Sequence, residues 1–215
     1  MKSSAENIFN NMQERYPALA YCNDGVFKAY EILLTTTRAN GKILVCGNGG
    51  SAADAEHIVG ELMKGFRLKR PIENSEKDFL KREFPERGEL LSKKLQGAIP
   101  ALSLSSSISA ITAIVNDTGG DFIFAQQVYG YCKKNDAILA ISTSGNSLNC
   151  VYAAMVAKLK GCPVVALTGE DGGELAKISD ALINVPAKST HRVQELHLPI
   201  YHTLCAMLEV EIFSE

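Results

Sequence analysis

From residue 43 onward, short apolar segments alternate with segments of helical spacing. The apolar segments are residues 43–46, 99–104, 137–142, 164–167 and 181–185. The helical segments begin near Ser51, Ile108, Gly120, Ser147, Gly173 and Thr190. This alternation predicts a central parallel five-stranded sheet buried between helices, which is a three-layer α/β/α sandwich. In such sheets, ligands bind at the carboxyl ends of the strands.

Two other segments stand outside this alternation. Residues 4–19 and 26–38 carry helical apolar spacing and predict an N-terminal helical arm over about residues 1–40. Residues 67–96 are rich in charge and contain prolines, which predicts a solvated insertion with one short amphipathic helix, around residues 75–82 or 89–95. A lid over a neighbouring site, or a subunit contact, is the alternative role for that insertion. The length of 215 residues favours a single domain over residues 1–215.

The composition restricts the possible partners and the cellular setting. With 22 Lys and Arg against 24 Asp and Glu, the chain has a net charge of −2, which gives no general attraction to nucleic acid or membrane. The N-terminus lacks a signal-peptide pattern, and no apolar run is long enough to span a bilayer. None of the six cysteines follows a CxxC spacing. We therefore expect a reduced, cytoplasmic protein.

The first candidate site is a glycine-rich turn, residues 47–51, between an apolar strand and a helix. Gly49 and Gly50 allow backbone N–H groups to approach a ligand closely, and the helix N-terminus adds partial positive charge. Ser51 and Asp54 have the spacing of a capping box, which would fix the start of the helix. His57 and Glu61 are four residues apart and share one helix face. One element thus offers an anion cradle and a pair of proton-transfer or metal-binding groups.

The second candidate site is the hydroxyl-rich loop at residues 142–147, which follows the strand at 137–142. Its hydroxyls and backbone N–H groups can surround phosphate oxygens without a lysine. The alternative is an ordinary polar turn in which Ser147 caps the next helix. Neither loop matches the GxGxxG or GxxxxGK[ST] patterns, so the pair favours a small phosphorylated ligand over a dinucleotide.

The C-terminal helical segment, residues 190–213, carries Gln194 and His202. A lone helical histidine is usually structural, but His202 together with His57 and Glu61 indicates a shared site. Gln194 and His202 are eight residues apart, which separates them by about 12 Å along a helix. They can meet at one point only by reaching from opposite sides or from different subunits.

These motifs resemble the SIS (sugar isomerase) domain and, within it, the phosphoheptose isomerases that act on sedoheptulose 7-phosphate. The similarity covers nearly the whole chain and is carried by CGNGGSAADAEHIVGEL (46–62), VND (115–117), ISTSGNS (141–147), LTGEDGGEL (167–175) and RVQELHLPIYH (192–202). The hydroxyl-rich loop is typical of SIS phosphosugar binders generally. Glu61 and His202 narrow the similarity to an active isomerase, because a related replication-initiator-binding protein shares both loops and lacks these two groups.

The resemblance implies a homotetramer with active sites between subunits, and it implies roles for particular residues. Glu61 and His202 would be the acid/base pair for isomerisation through an enediol. Zinc, one ion per subunit, would bind His57, Glu61, Gln194 and His202. The residues expected to bind substrate are Asn48, Gly49, Gly50, Ser51, Asp117, Ser142, Thr143, Ser144, Ser147 and Gln194. The expected product is D-glycero-D-manno-heptose 7-phosphate, for lipopolysaccharide, capsule or another heptose glycoconjugate.

Two departures from the family pattern keep other functions open. The insertion is longer than the short link typical of the family. His191 and Gly65 stand where an aspartate and an arginine are expected, and Lys64 or Arg67 could supply the missing positive charge. The alternatives are a non-catalytic SIS module that binds a phosphosugar or a replication initiator, and an isomerase for another ketose phosphate.

Overall fold

The computed structural model describes residues 1–214 and contains one five-stranded sheet. The strands are β1 (Ile43–Gly47), β2 (Ala101–Ser103), β3 (Ala137–Ser142), β4 (Val164–Thr168) and β5 (Ala181–Asn184). They lie in the order β2-β1-β3-β4-β5, and every neighbouring pair is parallel. The predicted parallel five-stranded sheet is therefore confirmed.

Helices fill the connections between the strands. They are α1 (Ser3–Arg15), α2 (Asn23–Arg38), α3 (Gly50–Met63), α4 (Asn74–Glu83), α5 (Gly88–Lys94), α6 (Ile108–Asp117), α7 (Ile123–Tyr131), α8 (Leu148–Leu159), α9 (Leu175–Ile178) and α10 (Thr190–Phe213). The first helix ends at Arg15 rather than near residue 19, because the residue before Pro17 is pushed out of the helical conformation. Across residues 1–214, no helix is both long and apolar enough to cross a membrane.

The sheet separates two hydrophobic cores. In β1, Ile43 and Val45 face one core while Leu44 and Cys46 face the other, as the two-residue period of a strand requires. The first core is closed by α1, α2, α3 and α10, and the second by α7, α8 and α9. This arrangement confirms the α/β/α sandwich, with the N-terminal helices as part of one helical layer.

The strand order places a topological switch point between β1 and β3. The chain leaves β1 toward β2 on one side, and it enters β3 on the other side of β1. Ligands of doubly wound sheets bind in the crevice at the carboxyl ends of such strands. The glycine-rich turn follows β1 and the hydroxyl-rich loop follows β3, so the topology brings both candidate anion sites to this crevice.

The charged insertion folds as a helical hairpin. It contains two helices, α4 and α5, where the sequence pattern predicted one, and α4 has no buried residue. The base of the hairpin is tied by a bridge from Pro71 to Gln96 and by the N–H of Gly65, which donates to Gln96 Oε1 at 2.7 Å. A side chain at Gly65 would collide with the Leu68 carbonyl and with Gln96. The base of this hairpin therefore leaves no room at residue 65 for the side chain of the expected arginine.

Candidate active site

The glycine-rich turn opens directly into α3. The helix begins at Gly50, and Gly49, with φ +54°, precedes it as the N-cap residue. A side chain at Gly50 would collide with the Gln194 amide, which places Gln194 at the head of α3. The predicted capping box is wrong: the N-cap residue is Gly49, two residues before Ser51, and the Asp54 carboxylate instead accepts a hydrogen bond from Tyr201.

The hydroxyl-rich loop keeps its hydroxyl groups at the carboxyl end of β3. Ser142 is buried and its hydroxyl donates to Ser147 Oγ at 3.0 Å, while the exposed Ser144 accepts from the N–H of Asn146. Ser147 is the N-cap residue of α8, as the alternative interpretation predicted, but within the described chain its side chain makes no capping hydrogen bond. Thr143 is half-buried beside these groups. The loop is thus arranged to offer hydroxyls to a ligand.

The two loops are joined by a pair of amide side chains. Asn48 and Asn149 donate to each other's side-chain oxygens, both at 2.9 Å. Asn149 was missed by the sequence analysis, and its position in the first turn of α8 was the signal that could have indicated it. Ser51 is buried beneath the turn, and its N–H donates to the Asn48 carbonyl at 3.0 Å. These contacts hold the crevice between β1 and β3 as one unit.

Asp117 lies apart from this crevice. It is the exposed last residue of α6, and its carboxylate accepts a hydrogen bond from Asn116 at 2.8 Å. None of the hydrogen bonds found between described residues joins it to the glycine-rich turn or the hydroxyl-rich loop. Its predicted role in substrate binding therefore stays a prediction.

The predicted acid/base residues meet where α3 packs against α10, with the His57 side chain 42% exposed. His57 Nε2 lies 3.4 Å from Glu61 Oε1 and also 3.4 Å from His202 Nε2. The second carboxylate oxygen of Glu61 accepts from Lys64 Nζ at 3.1 Å, and the Glu61 side chain is only 14% exposed. One chain thus brings together a carboxylate, two imidazoles and a cation.

His57, Glu61 and His202 form what we call the cluster. Neighbouring groups shift the pKa of residues in and beside it. Burial lowers the pKa of His202 below its ordinary value, and the neighbouring His57 lowers it further, while the charge of Glu61 opposes both. His202 is therefore neutral near pH 7 and can accept a proton. Burial raises the pKa of Asp54, against the opposing effects of the Tyr201 hydrogen bond and the His57 charge.

The cluster and the glycine-rich turn lie at different positions along the axes of α3 and α10. Gln194 lies against Gly50 and His202 lies against His57, so α3 and α10 run in the same direction. Gly50 and His57 are seven residues apart, which is about 10 Å along the helix axis. Gln194 is therefore separated from the cluster within one chain, as its spacing from His202 predicted.

The fit of the cluster to zinc is partial. His57 Nε2, Glu61 Oε1 and His202 Nε2 are atoms of types that coordinate zinc. His57 Nε2 lies 3.4 Å from each of the other two atoms, which is close to the distance between two ligand atoms in a tetrahedral site with metal–ligand bonds of about 2.1 Å. In residues 1–214, however, no three His, Cys, Asp or Glu groups are arranged to hold a metal ion as they stand. The donor chemistry fits, while Gln194 does not join it.

A buried ion pair supports the end of α3. The side chains of Arg70 and Glu209 are both 0% exposed, and Arg70 Nε donates to Glu209 Oε1 at 2.8 Å. Arg70 also donates to the main-chain carbonyls of Glu61 and Leu62, which a helix C-terminus leaves without intrahelical partners. The N–H of Phe66 donates to Glu209, and the Phe66 ring lies 5.5 Å from the ring of His202. This ion pair therefore fixes the backbone at the C-terminal end of α3, which carries Glu61.

A cavity of about 380 Å³ opens beside His202. Asn11, Arg15, Phe66 and Arg67 are among the residues that line it. Arg67 thus lies beside one member of the cluster, and Lys64 pairs with another. Both residues proposed to replace the missing arginine lie near the predicted acid/base groups.

His197 and His191 have no part in the cluster. His197 is fully buried, its Nε2 lies 3.2 Å from the Thr168 carbonyl, and burial lowers its pKa to about 4. It is a neutral structural residue that ties α10 to β4. His191 is exposed in the first turn of α10.

Comparison with known proteins agrees with this geometry. The SIS domain profile matches residues 9–95 and 84–169. The phosphoheptose isomerase of Sulfurimonas denitrificans is 40% identical over 210 residues, which cover 98% of this chain and 87% of the relative. The phosphoheptose isomerase of Helicobacter hepaticus is 36% identical over 211 residues, which cover 98% of this chain and 94% of the relative. The solved phosphoheptose isomerase of Neisseria gonorrhoeae has a TM-score of 0.71 at 33% identity, covering 95% of this chain and 96% of that one. The chain belongs to the SIS-domain family and, within it, to the phosphoheptose isomerases.

Proposed function

We propose that this isomerase converts sedoheptulose 7-phosphate to D-glycero-D-manno-heptose 7-phosphate through an enediol. The observation that carries the proposal is the 3.4 Å cluster of His57, Glu61 and His202 in a chain that also keeps both loops at the switch point. A phosphosugar-binding adaptor would need the loops but has no use for a partly buried carboxylate beside two imidazoles.

The reaction needs two kinds of proton transfer, and the cluster can supply both. A base removes a proton from C1 of the ketose while the C2 carbonyl oxygen gains one, which gives the enediol. Return of a proton to C2 and loss of the O1 proton then give the aldose. Glu61 is suited to the transfers at carbon, and the neutral His202 to those at oxygen. Backbone N–H groups and the hydroxyls of Ser51, Ser144 and Ser147 would hold the phosphate.

A substrate panel tests this function. We expect rapid aldose formation from sedoheptulose 7-phosphate, slower conversion of fructose 6-phosphate, and none of unphosphorylated sedoheptulose, because the two loops are proposed to bind the phosphate. Faster turnover of another ketose phosphate would reassign the substrate. Failure to convert any phosphorylated ketose would leave the adaptor function as the better account.

The separation between the loops and the cluster supports an active site shared between subunits. Glu61 is eleven residues after Gly50, or about 16 Å along α3, which exceeds the carbon chain of the substrate between its phosphate and C1. The apolar helix α6 has no buried residue, and its Ile108 is 75% exposed. We therefore propose a homotetramer in which the loops of one subunit work with the acid/base cluster of another.

Mixed assemblies test the shared site. A Glu61→Gln chain lacks the base, and a Ser144→Ala/Ser147→Ala chain lacks phosphate hydroxyls, so each alone should be nearly inactive. Tetramers assembled from both chains should regain a substantial fraction of wild-type turnover. In some of their sites, the intact loops of a Glu61→Gln subunit face the intact cluster of a Ser144→Ala/Ser147→Ala subunit. Mixed tetramers no more active than the parent variants would contradict the shared site.

Zinc is part of the proposal as a ligand of the cluster. His57, Glu61 and His202 would hold it, and when bound it would polarise the substrate carbonyl. We expect removal of metal by a chelator to lower turnover at least about tenfold and added zinc to restore it. A His57→Gln chain should bind less zinc by elemental analysis, whereas the exposed His191→Gln chain should match wild type. Full turnover by protein shown to be metal-free would contradict this role.

The cellular context is proposed on more general grounds. A net charge of −2 gives no basis for binding nucleic acid or an anionic membrane. Sugar phosphates are made and used in the cytoplasm, which is the setting we propose. Heptose for lipopolysaccharide or capsule is the proposed use of the product.

A further inference from the structure

Tyr201 joins the acid/base cluster to a buried carboxylate. Its side chain is almost fully buried, at 1% exposure, on the turn of α10 that also carries His202. The hydroxyl lies 3.2 Å from Asp54 Oδ1 and 3.1 Å from His57 Nδ1. The Tyr201 ring also packs edge-on against both imidazoles, at centroid distances of 5.5 Å from His57 and 5.0 Å from His202. Tyr201 thus contacts both histidines of the cluster.

The hydrogen-bond inventory of these groups fixes a direction. A tyrosine hydroxyl has one proton to donate, and a carboxylate oxygen only accepts. The Tyr201 hydroxyl therefore donates to Asp54, and its oxygen accepts the proton that His57 carries on Nδ1. His57 Nε2 is then left with a lone pair. The 3.4 Å contact with His202 is a hydrogen bond only if His202 donates from its own Nε2.

We propose that Tyr201, anchored by Asp54, is a positioning residue that holds His57 in the Nδ1–H tautomer. The lone pair of His57 Nε2 is thereby left to accept from His202 Nε2, and each hydrogen bond from His202 through His57 and Tyr201 to Asp54 runs in one direction. The proposal deepens the isomerase function and rests on it for its effect on turnover. The tautomer itself does not depend on the substrate.

The alternative tautomer would disorganise the cluster. With its proton on Nε2, His57 would donate to only one of its two close neighbours, Glu61 or His202. Its bare Nδ1 would then face the Tyr201 oxygen, unless the Tyr201 hydroxyl gave up its hydrogen bond to Asp54. Outer groups that orient a histidine through its second ring nitrogen typically change activity or metal affinity 10–100-fold when they are removed. Tyr201 occupies that outer position here.

The test is Tyr201→Phe in the full chain, which removes the hydroxyl and keeps the ring packing. The matched control is Tyr30→Phe, which removes a buried hydroxyl on α2, away from the cluster. Each protein is labelled with ¹⁵N-histidine, and long-range ¹H–¹⁵N NMR reports which ring nitrogen carries the proton. The chain has four histidines, so His57→Gln identifies the His57 signals by their loss.

We expect wild type and Tyr30→Phe to show His57 protonated on Nδ1 and bare on Nε2. Tyr201→Phe should lose that pattern, and its kcat should fall by about 10–100-fold with KM changed less than about twofold. His57 protonated on Nε2 in the wild type would overturn the proposal, even if the variant cannot be folded. An unchanged spectrum and kcat in Tyr201→Phe would also overturn it. If the tautomer behaves as expected but the wild type converts no phosphoketose, the proposed function fails while the positioning role stands.

Discussion

The Glu61→Gln variant is expected to lose about a thousandfold in kcat with sedoheptulose 7-phosphate, because an amide cannot take the proton from C1. Its KM should stay near the wild-type value, since the groups proposed to hold the phosphate lie in the two loops. Glutamine has nearly the volume of glutamate and can still accept from Lys64 and contact His57. The loss therefore reports the missing carboxylate rather than a change in packing. Steady-state kinetics followed by NMR measures both constants.

Glu56→Gln is the matched control for that variant. Glu56 lies on the same helix, is exposed, and makes no contact with the cluster among the interactions found in residues 1–214. It should keep wild-type kcat and KM. A Glu61→Gln enzyme that also turns over at close to the wild-type rate would remove Glu61 from the mechanism.

The largest expected effect on stability is at the buried pair of Arg70 and Glu209. Glu209→Ala should lower the free energy of unfolding by about 3–5 kcal/mol, since it leaves the Arg70 charge buried without its partner. It also removes the acceptor for the N–H groups of Phe66 and Arg67. Urea denaturation of the two proteins measures the difference. Glu89→Ala, which breaks exposed pairs with Lys93 and Lys81, should leave the free energy of unfolding close to the wild-type value.

The pH dependence of this pair has a definite sign. Burial alone would raise the pKa of Glu209, but the N–H groups of Phe66 and Arg67, together with Arg70, outweigh it and hold the pKa below its ordinary value. A carboxylate with a lowered pKa stabilises the fold above its unfolded-state pKa, and the stabilisation is lost as pH falls through the folded-state value. The stability difference between wild type and Glu209→Ala should therefore shrink in acid. A difference that is constant with pH would show that the carboxylate charge is not the stabilising element.

Most of the fold could be predicted from the sequence because strand burial leaves a strong local signal. The segment 137–142 is apolar up to Ser142, is buried throughout, and matches β3 from end to end. Errors lie at element ends, where local chemistry decides: Pro17 ends α1, and β2 is only Ala101–Ser103 within the segment 99–104. The insertion was harder, because two short polar helices have little periodicity and α4 buries nothing.

The site was predictable in its residue types and less so in its contacts. The spacing of His57 and Glu61 placed them on one face of α3, and the structure brings His202 to that face. The roles of Tyr201 and Asp54 could not be predicted, since they are far apart in sequence and meet only when α10 packs on α3. The apparent capping box was misleading for the same reason: Asp54 has a partner from another element.

The central claim is that Glu61 and His202 move protons between C1 and C2 of a phosphorylated ketose. The most direct test is conversion of sedoheptulose 7-phosphate by the purified chain in D₂O, followed by ¹H and ¹³C NMR. The account predicts D-glycero-D-manno-heptose 7-phosphate with solvent deuterium at C2 in wild type, and neither product nor exchange at C1 in Glu61→Gln. Product formed at the wild-type rate by Glu61→Gln, or no conversion and no exchange by wild type with and without zinc, would contradict it.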